Sequence, residues 1–186
     1  NEEAKDFGIV AVASGPGIKQ MFLEHGTDVV VDGGQSMNPS AEDFIKAFGK
    51  INAKTIFVFP NNGNVILAAQ QAAKMYEKAD IQVIGSKSIG EGFAALTMMD
   101  LSSGNIDEIK DNFQMGMDGV SSYYVSHCVR DAEMDGLKLH AGDYIGFQDK
   151  KIMVSSEDRK KTAFQTVEAM DFTDHEVCIF IRGIDS

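Results

Sequence analysis

Four short segments carry residue types suited to binding rather than to breaking bonds. They are Ser14-Gly15-Pro16-Gly17, Gly33-Gly34-Gln35-Ser36-Met37-Asn38-Pro39-Ser40, Pro60-Asn61-Asn62-Gly63-Asn64 and Gly85-Ser86-Lys87-Ser88-Ile89-Gly90. Hydroxyls and carboxamides dominate them, and Lys87 is the only cation. Each lies between a short apolar run and a helical pattern, so each leads into a helix N-terminus whose free N–H groups and dipole favour an anion. The candidate ligand- or partner-binding residues are therefore Ser14, Gly15, Gln35, Ser36, Asn38, Asn61, Asn62, Asn64, Lys87 and Ser88, with Ser36 and Asn38 as direct ligands of a carboxylate. A second reading needs no ligand. Asn38, Ser40, Asn61, Asn64 and Ser88 are all N-cap types, and Ser40-Ala41-Glu42-Asp43 fits a capping box. What favours a site is the meeting of four such loops at one sheet edge.

Motifs for bond-breaking chemistry are weaker. Gly15-x-Gly17-x-x-Gln20 is a partial dinucleotide fingerprint without its third glycine, and there is no P-loop pattern. Asp131-x-Glu133-x-Asp135-Gly136 copies the start of an EF-hand loop, but the twelfth position is Gly142 and strand patterns flank it. His127-Cys128 falls within a strand pattern, His25 suits a helix end, and His140 and His175 sit in turns. No nucleophile, base and orienting acid can be assembled from these, so no catalytic or metal-ligating residues are assigned. Arg130-Asp131 ends a strand, either as a local ion pair or with Arg130 as a ligand or partner contact. The methionines Met98, Met99, Met115 and Met117 suit core packing better than a docking face.

The elements that position these loops are legible from the periodicity. Apolar runs at Phe7–Ala13, Asp28–Val31, Thr55–Phe59 and Ile81–Ile84 alternate with helical stretches at Ile18–His25, Ser40–Phe48, Val65–Ala79 and Gly92–Met99. Continuous apolar strands between helices indicate a parallel sheet covered on both faces. The second half reads as short strands at Tyr123–Arg130, Leu137–Leu139, Tyr144–Phe147 and Ile152–Val154. A helix over Ser156–Met170, capped by Ser155 or Ser156, and a last strand over Glu176–Ile181 follow. The expected fold is thus α/β, a parallel lobe over 1–100 with helices on both faces and a smaller mixed α+β lobe over 121–186. A linking helix over 101–120 carries Gly104, Gly116 and Gly119 as hinge positions.

Composition sets the outer bounds. The 186 residues carry a formal net charge of −11, which argues against a nucleic-acid footprint. Two cysteines fifty positions apart suggest neither a disulfide framework nor a zinc site, and a reducing cytoplasm is the expected compartment. No apolar run approaches the length of a transmembrane helix, and the acidic start with its short first apolar run leads to the expectation of no signal peptide. The absence of an initial Met and the stop just after a strand pattern suggest a piece of a longer protein.

The motifs FGIVAVASGPGI, TDVVVDGGQSMNPSAEDFIKA, AKTIFVFPNNGNVILAAQQA, GSKSIGEGFAAL and VRDAEMDGLKLHAGDYIGF follow one another in order. From Phe7 to Arg182 the chain resembles the C-terminal region of the ATP-binding component of bacterial fatty acid kinase. That family is dihydroxyacetone-kinase-like (DAK phosphatase), with a DegV-related fold. The resemblance implies a parent kinase acting on a fatty acid carboxylate, whose acyl phosphate product feeds phospholipid synthesis. ATP and Mg belong to an N-terminal kinase domain of the same chain, and no cofactor is implied here. The implied partners are that kinase domain and an acyl-binding protein of the DegV family, which makes this region a non-catalytic docking and regulatory module. The alternatives are a stand-alone phosphotransfer or phosphatase enzyme of the dihydroxyacetone kinase class, or an anion- or acyl-binding module. Two departures matter. Gly90 and Glu91 replace the usual Pro and Gln, an exchange expected to loosen the fourth loop, and a final glycine-rich stretch is missing, which implies a truncated second lobe. The first loop lacks the histidine of the related mannose-type phosphotransferase domains, which argues against a phosphohistidine mechanism.

Overall fold

The computed structural model describes residues 3–33 and 38–183. They form two compact units, one spanning residues up to 120 together with 180–183 and the other residues 121–179.

In the first unit, strands β1 (Lys5–Ala13), β2 (Val29–Asp32), β3 (Ala53–Phe59) and β4 (Asp80–Val83) form one parallel sheet in the order β2-β1-β3-β4. Successive side chains of a strand point to opposite faces, and both faces of the two central strands are buried. Val10, Val12, Ile56 and Val58 face helices α2 (Ala41–Phe48) and α3 (Ile66–Met75), where they meet Phe44, Phe48, Ala69 and Ala72. Ile9, Ala11, Phe57 and Phe59 face the other way, onto α1 (Pro16–Glu24), α4 (Ile89–Thr97) and α5 (Ile106–Asp118). This is the parallel α/β arrangement expected, with helices on both faces.

Local signals set the helix ends. Pro16 opens α1 at a position where its missing N–H costs nothing, and Gly26 follows the helix with φ 90°. Ser40 and Asp43 form the capping box that starts α2. The Ser40 backbone N–H, followed by its hydroxyl, holds the Asp43 carboxyl below its ordinary value. Ser88 caps α4 by accepting the Glu91 N–H at 3.1 Å.

Helix α5, expected as a linker, is part of the first unit's core. Ile109, Phe113 and Met117 are buried, and the Phe113 ring meets Phe57 and Phe59 edge-on at 5.2 and 5.0 Å. An amphipathic helix next to an uncovered sheet face buries its apolar stripe there. Gly116, expected as a hinge, is instead a contact glycine, because a Cβ there would lie 2.6 Å from the Ala94 carbonyl oxygen.

The second unit holds an antiparallel sheet, β5 (Tyr123–His127), β8 (Tyr144–Gln148) and β9 (Lys151–Ser156), in the order β5-β8-β9. A ribbon of β6 (Ala132–Met134) and β7 (Leu137–Leu139) accompanies it. The ribbon turns at Asp135 and Gly136, φ 52° and 78°, the left-handed pair that a tight hairpin requires. Strand β6 carries no signal in the sequence, since three residues give too short a period. Helix α6 (Arg159–Glu168) packs on the sheet through Thr162 and Thr166. It starts three residues later than expected because the Asp158 carboxylate, rather than a serine, accepts the Lys161 N–H at 2.8 Å.

Residues 176–181, expected as a strand, adopt no regular structure. Val177 and Phe180 are about three-quarters exposed there, and strand-forming composition makes a strand only where a neighbour completes the ladder. Among the described residues, no helix is long and apolar enough to cross a membrane.

Two outcomes check this packing. Gly146→Ala would place a methyl 1.9 Å from Thr166 Oγ1 and should destabilise the second unit by about 1–3 kcal/mol, as overpacking does. Adding Thr166→Ala should recover part of that loss in denaturant melts. Asp43→Asn should lower stability at neutral pH, and the difference from the unmodified chain should shrink as pH falls below the ordinary carboxylate value. A carboxyl whose folded-state pKa is depressed stabilises above its unfolded pKa, and that contribution disappears as pH falls through the folded value.

Candidate functional site

A doubly wound sheet binds ligands outside the carboxyl ends of its strands, where the chain's winding reverses. Here that point lies between β1 and β3, because β1 leads into α1 on one face and β3 into α3 on the other. The β1, β3 and β4 loops described for this edge carry Ser14, Gly15, Asn61, Asn62, Asn64, Lys87 and Ser88. Asn38 precedes α2 at the same edge. Gln35 and Ser36, the residues expected to contact a ligand with Asn38, lie outside the described residues.

Asn61 decides the character of this edge. Its backbone is left-handed, φ 57°, and the residue is only 6% exposed. Its Nδ2 donates to the Val12 carbonyl at 3.0 Å, and its Oδ1 accepts from Ser86 Oγ at 2.8 Å. The Asn61 N–H donates to the same Ser86 oxygen at 3.1 Å. One carboxamide thus ties the end of β1, the β3–α3 loop and the β4–α4 loop together across the switch point. Gly92 is required beneath it, since a Cβ there would lie 2.0 Å from Asn61 Oδ1. Asn61 is neither a helix cap nor a free ligand. Its carboxamide is buried and bonded on both sides inside the protein.

The other candidates divide between scaffold and surface. Asn62 Oδ1 accepts the Asn64 N–H at 2.9 Å and shapes the loop, while α3 begins without a side-chain cap, so Asn64 is not its cap. Ser88 is a buried cap. Helix α1 likewise begins at Gly15, φ 81°, with no side-chain cap from Ser14. Ser14, Asn38, Asn64 and Lys87 are exposed. Leu67, in the first turn of α3, is 76% exposed at the same edge. Nothing in the sequence singles it out, because its position inside the helical pattern resembles the buried ones.

The fourth loop is tied rather than loosened by its Gly90-Glu91 pair. Glu91 Oε2 accepts the Lys87 N–H at 2.6 Å while its own N–H is held by Ser88. The added negative charge sits in the first turn of α4, where the helix dipole favours it.

Arg130 belongs to the second unit and is exposed. Its backbone carbonyl accepts Cys128 Sγ at 2.9 Å. Asp131 forms no ion pair with it and instead accepts the Ala141 N–H at 2.8 Å. Asp135 accepts the Ile152 N–H at 2.8 Å. Two of the three carboxylates that copied a calcium loop, Asp131 and Asp135, therefore fasten backbone N–H groups. His140 Nδ1 meets the Asp143 carboxylate at 3.2 Å, and that carboxylate also accepts the His140 N–H. His25 Nδ1 lies 2.8 Å from the Met21 carbonyl, with the ring edge-on to Phe93.

With this geometry in hand, comparison with known proteins gives the family. The FakA-like C-terminal family, that of the C-terminal region of fatty acid kinase A-type components, matches residues 8–186. The chain belongs to it. Protein YloV of Bacillus subtilis is 35% identical over 180 residues, covering 97% of this chain and 32% of that protein. A Staphylococcus haemolyticus protein is 34% identical over 187 residues, covering 100% of the chain and 34% of the relative. One from Staphylococcus aureus is 31% identical over 184 residues, covering 99% and 33%. The chain therefore spans about a third of the length of these curated relatives.

Removing the Asn61 clamp should cost stability in a characteristic order. Asn61→Ala leaves the buried Val12 carbonyl and Ser86 hydroxyl short of partners and puts at positive φ a residue that adopts this region less readily than asparagine, for an expected loss of about 2–4 kcal/mol. Asn61→Gly loses the same bonds without the backbone strain and should lose less. Equal losses in thermal melts would mean that the left-handed backbone is not held as described.

Proposed function

We propose that this chain is a docking module of a fatty acid kinase, through which the kinase engages an acyl-binding protein of the DegV family, and that phosphotransfer belongs to another part of the parent protein. The observation that carries this reading is the state of the loop edge. At the switch point the Asn61 carboxamide is buried and bonded to Val12 and Ser86, while hydroxyl, carboxamide, ammonium and isobutyl groups are exposed on Ser14, Asn38, Asn64, Lys87 and Leu67. Exposed polar side chains together with an exposed apolar one are what a macromolecular contact surface offers. Family membership supports the fatty acid kinase part of this reading. The reading places the chain in the cytoplasm, beside the N-terminal kinase domain that would carry ATP and Mg.

Lys87 supplies the electrostatic part of this surface. A charge-assisted bond from its ammonium to a carboxylate of the partner or of its acyl cargo contributes about 1.5–3 kcal/mol. Leu67 supplies the apolar part.

Isothermal titration of the chain against a DegV-family acyl-binding protein tests the proposal. Binding is expected, weakened roughly tenfold or more by Lys87→Ala and by a similar factor in Leu67→Asp, with folding intact by circular dichroism. No binding by the unmodified chain overturns the docking reading. Binding that both variants leave untouched moves the interface away from the loop edge. The rival reading, an enzyme of the dihydroxyacetone kinase class acting alone, predicts turnover by this chain in a kinase and phosphatase screen; none is expected.

A further inference from the structure

We draw no further inference here: the strongest candidate, the outward face of α5 that carries the exposed Asp107, Glu108, Asp111, Met115 and Asp118, is an acidic helix face, and nothing in the structure shows what covers it.

Discussion

The first unit depends on two strands that have no solvent side. Residues 9–12 of β1 and 56–59 of β3 are at most 3% exposed, so every residue in these runs must be apolar and must fit a helix on one face or the other. That requirement explains the sequence of both strands, and it explains the helices in turn. Phe44 and Phe48 of α2 exist as core residues because Val10 and Val58 need a cover, and Phe113 of α5 because Phe57 and Phe59 do. Fully burying side chains of this size contributes about 1.5–3 kcal/mol each, so the central pair anchors the strand ends from which the loops emerge.

The same burial sets the demands at the loop edge. A polar group placed at the ends of such strands has little water to turn to and must find partners in the protein. Asn61 meets that demand for Val12 and Ser86 together, and a carboxamide is the side chain able to donate to one and accept from the other. Its left-handed backbone is tolerable because asparagine adopts that region more readily than most residues. What is left for contact with other molecules is then the exposed rim, composed of separate side chains on loops that the buried network holds in place.

Much of this is legible in the sequence, with a consistent boundary. Long continuous apolar runs locate β1 and β3, and cap residues such as Ser40 and Ser88 mark helix starts, because both signals are local. The role of Asn61 is not legible. Its type suggests a cap, whereas its partners lie 25 and 49 positions away, and only the topology brings them together. Helix α5 is visible as a helix, but its attachment depends on which face of the sheet lacks cover, a property of the assembled fold. Residues 176–181 show the converse: strand propensity is present, and propensity alone does not order a segment. In the second unit the hairpin turn at Asp135-Gly136 is readable, while the three-residue strand before it carries too little pattern.

That last segment of the chain, residues 176–181, bears on how the protein behaves in solution. Val177, Ile179, Phe180 and Ile181 are each more than half exposed, in a short run whose β-branched and aromatic content favours intermolecular pairing. The counterweight is long-range repulsion between molecules of net charge −11. Colloidal stability is therefore an electrostatic property of the whole surface rather than of the segment, and it fades in two circumstances: as the medium is acidified toward the isoelectric point near 4.7, and as added salt shortens the screening length to about 3 Å at molar concentration.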